Sequence, residues 1–215
     1  MRWLLLALLL ALASTVEALD VSVTPYRESR RAGALGIVAG RVAAEPRTAQ
    51  AAARPFTGTT VMLMPRSEAL LARLERIRQG ARESAAAFTA AAPAMRKARE
   101  TYERELWEAG APDLTPTVTV DADGSFKIED VPAGAWMLLA WHGTPVNVGS
   151  PTTSKPKTQK KDLYLPQSRL QGYQEVTVWL REVTVTGGET ASLELTDRNG
   201  WFRGVAEERM PGAGR

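Results

Sequence analysis

His142 is the sole histidine of a 215-residue chain that contains no cysteine, and it follows Trp141 at the end of an apolar run. Zinc sites gather several histidine, cysteine or carboxylate ligands, so one imidazole without a thiol reads as a structural residue. Asp121, Asp123 and Gly124 open like a calcium loop, yet an EF-hand places its glycine sixth and a bidentate glutamate twelfth. Here the glycine is the fourth residue, which reads as a tight turn. Ser154 and Lys157 have the spacing of a serine nucleophile with its lysine, but Pro156 interrupts it and no companion motif follows. With no convergent nucleophile, base and orienting group, the chain is expected to be non-enzymatic, with no cofactor and no metal.

Tryptophans offer a different chemistry. Trp107, Trp136, Trp141, Trp179 and Trp201 lie beyond the first twenty residues. Trp136 and Trp179 fall inside alternating runs, where burial is the default. Trp141 and Trp201 stand at strand ends beside turns, and they are the candidate contacts for a glycan or a partner. The formal charge of +3 is too small and too scattered for a nucleic-acid binder. Lys155, Lys157, Lys160 and Lys161 read as a solvated loop.

The elements that must hold these residues are mostly strands. Gly36–Glu45 and Thr57–Arg66 are β-rich runs, and Asp20–Tyr26 is expected as an edge strand. Val118 and Val120 alternate up to the turn Asp121-Ala122-Asp123-Gly124, then Phe126 and Ile128 resume, so the two runs are expected to face each other. The turn Val131-Pro132-Ala133-Gly134 leads to Trp136, Leu138 and Ala140, whose apolar neighbours Met137 and Leu139 predict a central strand covered on both faces. Val183 and Val185, then Gly187-Gly188, then Leu193 and Leu195 predict a hairpin. Trp201–Glu208 reads as a further edge strand. Six or seven short strands describe a β-sandwich.

Residues 67–110 differ. Leu74, Ile77, Phe88, Met95, Tyr102 and Leu106 belong to a stripe that recurs at steps of three or four, one face of an α-helix. Ser67 is suited to cap its start, and Gly110 with Pro112 to stop it. A single helix of that length would run on the order of 60 Å, so a hairpin is required to bring both ends back to one sandwich. Gly80 and the Ala92-Pro93 step are the candidate breaks, and the second is expected because proline disrupts a helix interior. The stripe is the candidate contact face for a partner protein.

The chain opens with Arg2, an apolar run from Trp3 to about Leu12, and small residues before Leu19. This pattern is that of a secretory signal peptide over 1–18, with Ala13 an alternative cleavage point to Ala18. The run is too short for a membrane span, and no later segment is longer. About 197 residues after the leader are enough for one domain with a sizeable core. The expected organisation is therefore a domain over 19–209, carrying its insertion at 67–110, and a disordered tail over 210–215. Composition points to a bacterial envelope protein, periplasmic or extracellular.

The order GIVAGRV, TGTTVMLMP, TVTVDADGSFKIEDVPAGAWMLLA and VTVTGGETASLEL resembles the carboxypeptidase regulatory-like domain family, whose fold is similar to transthyretin. DADGSFKIEDVPAGAW is the most specific part. The resemblance covers about half of the mature chain; it departs in the helical insertion and from Gly143 to Gly172. It implies a mainly β, antiparallel transthyretin-like sandwich with an inserted α-helical hairpin, acting as an accessory or binding module. The transthyretin fold also hosts a hydroxyisourate hydrolase, whose ending Phe202-Arg203-Gly204 echoes in part; a single histidine departs from it. A protein–protein module of the envelope is the leading expectation, with an envelope protein as partner. A carbohydrate-binding module using Trp141 and Trp201 is the alternative.

Overall fold

In the computed structural model, residues 19–46, 48, 52–146 and 168–211 are described, with 168–171 and 208–211 by their backbone alone. The leader over 1–18, the lysine-rich stretch with Ser154 and Lys157, and residues 212–215 lie outside them. Met210 and Pro211, expected in a tail, continue the last strand.

The elements run α1 (Thr24–Arg31), β1 (Leu35–Ala44), β2 (Arg54–Pro55), β3 (Thr60–Pro65), α2 (Glu68–Gly80), α3 (Ala85–Glu108), a 3₁₀ turn (Pro112–Leu114), β4 (Thr117–Thr119), β5 (Ser125–Pro132), β6 (Gly134–Val146), β7 (Ser168–Val185), β8 (Thr190–Thr196) and β9 (Phe202–Pro211). The chain is mainly β, a sandwich of two sheets with the helical insertion that the sequence predicts. The first sheet centres on β1, which pairs antiparallel with β2 and β5 and parallel with β8. The second is antiparallel throughout, in the order β4-β3-β6-β7-β9.

Alternation along β6 distributes its side chains to two cores. Trp136, Leu138 and Ala140 enter the core between the sheets, with Val38, Val61, Leu63, Phe126, Ile128, Trp179 and Leu195. Met137 and Leu139 enter a second core beneath the helices, with Met62, Met64, Val176, Val178 and Phe202. The central strand is thus covered on both faces, as its unbroken apolar run requires. The buried indoles do not leave a donor unpaired: Trp136 Nε1 donates to the Pro132 carbonyl at 2.9 Å and Trp179 Nε1 to that of Thr196 at 2.7 Å.

Three tight turns do something other than expected. Gly187-Gly188 connects β7 of the second sheet to β8 of the first, so it makes a crossing between sheets and not a hairpin. Asp121–Gly124 likewise takes the chain from β4 in the second sheet to β5 in the first, and Ala133-Gly134 takes it back. The physical reason is that alternation fixes which face of a strand is buried without choosing its partner. Gly134, at φ 156°, also leaves room for Tyr26, whose Cε1 would stand 2.8 Å from an added Cβ.

Asp20–Tyr26 is not an edge strand; its second half enters helix α1. Pro25 occupies the first turn, where its missing N–H costs no bond, and Arg30 and Arg31 complement the negative end of the helix. Tyr26 is buried against Trp136, ring centres 4.9 Å apart, and its hydroxyl donates to the Ala135 carbonyl. Arg27 donates to the Gly110 carbonyl at 2.8 Å and Arg30 pairs with Asp113, fixing the end of the insertion to the sandwich.

The insertion leaves at the end of β3 and returns at β4, neighbours in one sheet, and folds back over that sheet's outer face. Its break lies at Ala81–Ser84 and not at Pro93, which sits inside α3. Ser84, extended at φ −160°, accepts from the Ala87 N–H and starts a new helix. Pro93 is exposed, so water can reach the carbonyl that it leaves unbonded. At the other end, Ser67 accepts from the Leu70 N–H as expected, and Asp20 accepts from the Ser67 hydroxyl at 2.7 Å and the Ala69 N–H at 2.8 Å. A carboxylate at a helix N-terminus satisfies an orphan donor and the dipole together.

Candidate functional site

The helical stripe is largely consumed inside the molecule. Leu74, Met95, Tyr102 and Leu106 are buried in the core beneath the hairpin, and Ile77 packs against it. Tyr102 donates to the Pro65 carbonyl at 3.0 Å, and burial pushes its hydroxyl well above the usual tyrosine range. The outer face of the second sheet is apolar, and these residues cover it. Phe88 is the exception, 38% exposed, with its ring 6.5 Å from that of Phe202.

Trp141 and Trp201 both face the hairpin and are half-buried. The Arg96 guanidinium from α3 lies 5.2 Å from the Trp141 ring centre, and that of Arg78 from α2 lies 5.0 Å from Trp201. Each indole thus has one face occupied by a cation. Trp201 also borders a cleft where Arg66 pairs with both Glu68 and Glu182.

His142 is held in a structural setting. Thr59 donates its hydroxyl to the Phe56 carbonyl at 2.6 Å, so the contact of 3.0 Å between Thr59 Oγ1 and His142 Nδ1 needs the proton on the imidazole. The ring packs 5.0 Å from Phe56, and burial lowers its pKa, reinforced by Arg54. Asp123 accepts from the Ser125 N–H at 2.9 Å and its hydroxyl at 2.8 Å, which lowers the carboxyl pKa. With Gly124 at φ 89°, it builds the turn that the sequence predicts.

The residue that sequence reasoning passed over is Trp107. It is 71% exposed, at the last turn of α3. A signal was present: Tyr102 and Leu106 carry the buried stripe, and the next position is turned about 100° away from it. A tryptophan off the stripe must meet solvent or a ligand.

Trp107 stands at the rim of a groove of about 730 Å³ between α3, the 3₁₀ turn and edge strand β4. Glu100, Glu103, Arg104 and Glu108 line one wall; Thr115 and Thr117 line the other. The charges are held in place: Arg99 lies 3.0 Å from Glu103 and 3.4 Å from Glu100, and Arg104 lies 3.9 Å from Glu108. Burial raises the Glu103 carboxyl, against the opposing pull of Arg99. Thr115 and Thr117 turn their hydroxyl protons toward the carbonyls of Pro112 and Thr115, which leaves their oxygens able to accept. A flat apolar ring beside carboxylates, guanidinium donors and hydroxyls suits a ligand that is apolar on one face and rich in hydroxyls at its edge. Among the described residues, no group of three or more histidine, cysteine, aspartate or glutamate residues could hold a metal ion. No helix among them is long and apolar enough to cross a membrane.

No family model and no curated protein matches the chain. Among solved structures it is similar to a candidate carbohydrate-binding protein from Pseudomonas aeruginosa, with 14% identity and a TM-score of 0.39 over 82% of this chain and 97% of that one. It is similar to the minor pilin of Streptococcus agalactiae, with 9% identity and a TM-score of 0.30 over 85% of this chain and 48% of that one. It is also similar to the pilus backbone protein of Streptococcus pneumoniae, with 13% identity and a TM-score of 0.21 over 47% of this chain and 29% of that one. Likeness this distant assigns neither family nor ligand to the chain.

Proposed function

We propose that the chain is an exported, non-enzymatic binding module whose ligand is a glycan held in the groove beside Trp107. The observation that carries this reading is the exposed indole at the rim of a groove lined by carboxylates, a guanidinium and threonine hydroxyls. A sugar ring offers C–H groups to an aromatic face and hydroxyls to charged partners, so one ring uses both components of the groove at once. The reading of the hairpin as a protein-contact arm loses its surface, because Leu74, Met95, Tyr102 and Leu106 are buried. Trp141 and Trp201, the earlier glycan candidates, give way to Trp107 for the same reason: an arginine stacks on each. Export rests on the leader pattern in 1–18. The resemblance of DADGSFKIEDVPAGAW supports placing the sandwich with carboxypeptidase regulatory-like, transthyretin-like modules, whose general role is accessory binding.

The test is a calorimetric titration of residues 19–215 with a panel of envelope and plant oligosaccharides, followed by intrinsic fluorescence. A binding oligosaccharide should shift the fluorescence, and Trp107→Ala should weaken its affinity at least about tenfold, the scale of one central aromatic contact. Trp141→Ala and Trp201→Ala should leave affinity within a factor of about three. Affinity that survives Trp107→Ala but falls with Trp201→Ala would return the site to the cleft under α2.

A further inference from the structure

Strand β9 runs ten residues along the far edge of the second sheet. It bonds to β7 on one side and, among the described residues, to no strand on the other. An edge of this length is a template for another strand unless its side chains oppose pairing. Phe202 and Ala206 pack against the hairpin layer, so alternation places Arg203, Val205 and Glu207 together on the opposite face. We propose that a second copy of this chain docks on this edge, β9 against β9, antiparallel about a two-fold axis through Val205.

Charge complementarity selects both the partner and the register. With the axis at Val205, Arg203 of each copy lies opposite Glu207 of the other, so the two-fold repeats one favourable pair twice. Moving the axis to Ala206 would put position 209, also an arginine, opposite Arg203. Moving it to Gly204 would lose both pairs. Charges on an edge normally deter pairing with other chains, but an arginine and a glutamate four residues apart on one face are self-complementary. On the other face, Gly204, with the Phe202 ring lying across it, meets Ala206.

Phe88 is an independent observation in favour of the same edge. It is exposed beside Phe202, on the face where the hairpin reaches β9, and a second copy would bring its own outer face alongside. The resulting sheet has ten strands in the order β4-β3-β6-β7-β9-β9-β7-β6-β3-β4. At about 4.8 Å per strand, the two β4 edges, each with its Trp107 groove, stand roughly 43 Å apart on one face. If each groove takes a glycan, the dimer binds a long polymer or a surface with the gain of linked sites. That consequence alone rests on the proposed function; the docking does not.

The experiment is sedimentation equilibrium of residues 19–215 across a concentration series, with circular dichroism confirming that each variant is folded. Wild type should dimerise with a measurable dissociation constant. Arg203→Glu sets like charges opposite each other at two places and should raise that constant roughly tenfold or more, as should Glu207→Arg. The double variant restores the pairs in reverse and should return to within about threefold of wild type. Amide exchange over 203–207 should slow as concentration rises, while Trp107→Ala should leave the dissociation constant unchanged. A monomer at every concentration, a dimer indifferent to Arg203→Glu, or a double variant as weak as either single one would overturn the proposal.

Discussion

The guanidinium of Arg96, on α3, lies 5.2 Å from the ring centre of Trp141, on β6, and ties the helical insertion to the sheet beneath it. Arg78 repeats the contact on Trp201 at 5.0 Å, from the other helix. Two cations on two indoles add a contact from each helix to the buried apolar layer by which the hairpin packs on the sheet. Aliphatic packing alone gives adhesion without much orientation. A guanidinium over a ring adds a preferred contact at each side.

Removing one of these contacts should loosen the layer without unfolding the sandwich. Arg96→Ala is expected to lower unfolding free energy by about 0.5–1 kcal/mol, the range for a partly exposed cation–π pair. That corresponds to a fall of roughly 1–4 °C in Tm for a domain of this size. Amide exchange in α3 should accelerate more than exchange in β1. Equal acceleration in both would mean that the hairpin and sandwich open as one unit.

A second prediction concerns the place where β1 is gripped between β5 and the parallel strand β8. A Cβ added at Gly40 would lie 2.2 Å from the Leu193 carbonyl oxygen and 2.8 Å from the Phe126 ring. Neither backbone nor buried ring can step aside, so Gly40→Ala should cost about 3 kcal/mol or more. Gly80, the last residue of α2, has nothing within 4 Å of such an atom. Gly80→Ala should instead stabilise by up to about 1 kcal/mol through the lost freedom of the unfolded chain. Urea denaturation of both variants checks the contrast, and two changes of the same sign would contradict it.

These positions show what the sequence could and could not disclose. The alternation through Phe126 and Ile128, then Trp136, Leu138 and Ala140, reports burial, and burial was legible. Pairing is decided by the rest of the fold, so the same glycine turns served for crossings between sheets where hairpins were expected. Pro25 sits in the first turn of α1, where a proline is compatible with a helix start, so the edge strand expected over Asp20–Tyr26 gives way to helix in its second half. The stripe of the insertion was legible as helix; its destination was not, because a stripe covers a sheet of its own chain as readily as a partner. Trp107 lies off the buried stripe and away from the strand ends, so periodicity alone does not mark it as a contact residue.

Pro93 gives a third prediction. It is the ninth residue of α3, on an exposed side, where it withholds one N–H from the helical ladder. A proline inside a helix costs roughly 3 kcal/mol relative to alanine when nothing compensates. Hydration of the freed carbonyl offsets part of this, so Pro93→Ala should stabilise by about 1–2 kcal/mol. Because the break at Ala81–Ser84 depends on Ser84 as cap, the hairpin should keep its geometry. Ser84→Ala should cost about 1 kcal/mol. Guanidinium titrations of the two variants should therefore move the midpoint in opposite directions.

The last prediction is a pH dependence centred on His142. Burial against Phe56, with Arg54 nearby, holds its folded pKa below the usual value of about 6.5. As pH falls through about 6.5 the unfolded chain takes up a proton that the folded chain still refuses. Stability from this group is therefore complete above that pH, declines below it, and stops declining once the lowered folded pKa has been passed. The carboxylates add their own dependence further down, so wild type must be compared with a variant. His142→Asn keeps an N–H for Thr59 and removes the titration, so its thermal midpoint should follow wild type near pH 8 with a constant offset. Between about pH 6.5 and pH 5 the offset should shift in favour of the variant. Parallel curves through that window would show that the imidazole titrates alike in the folded and unfolded chain.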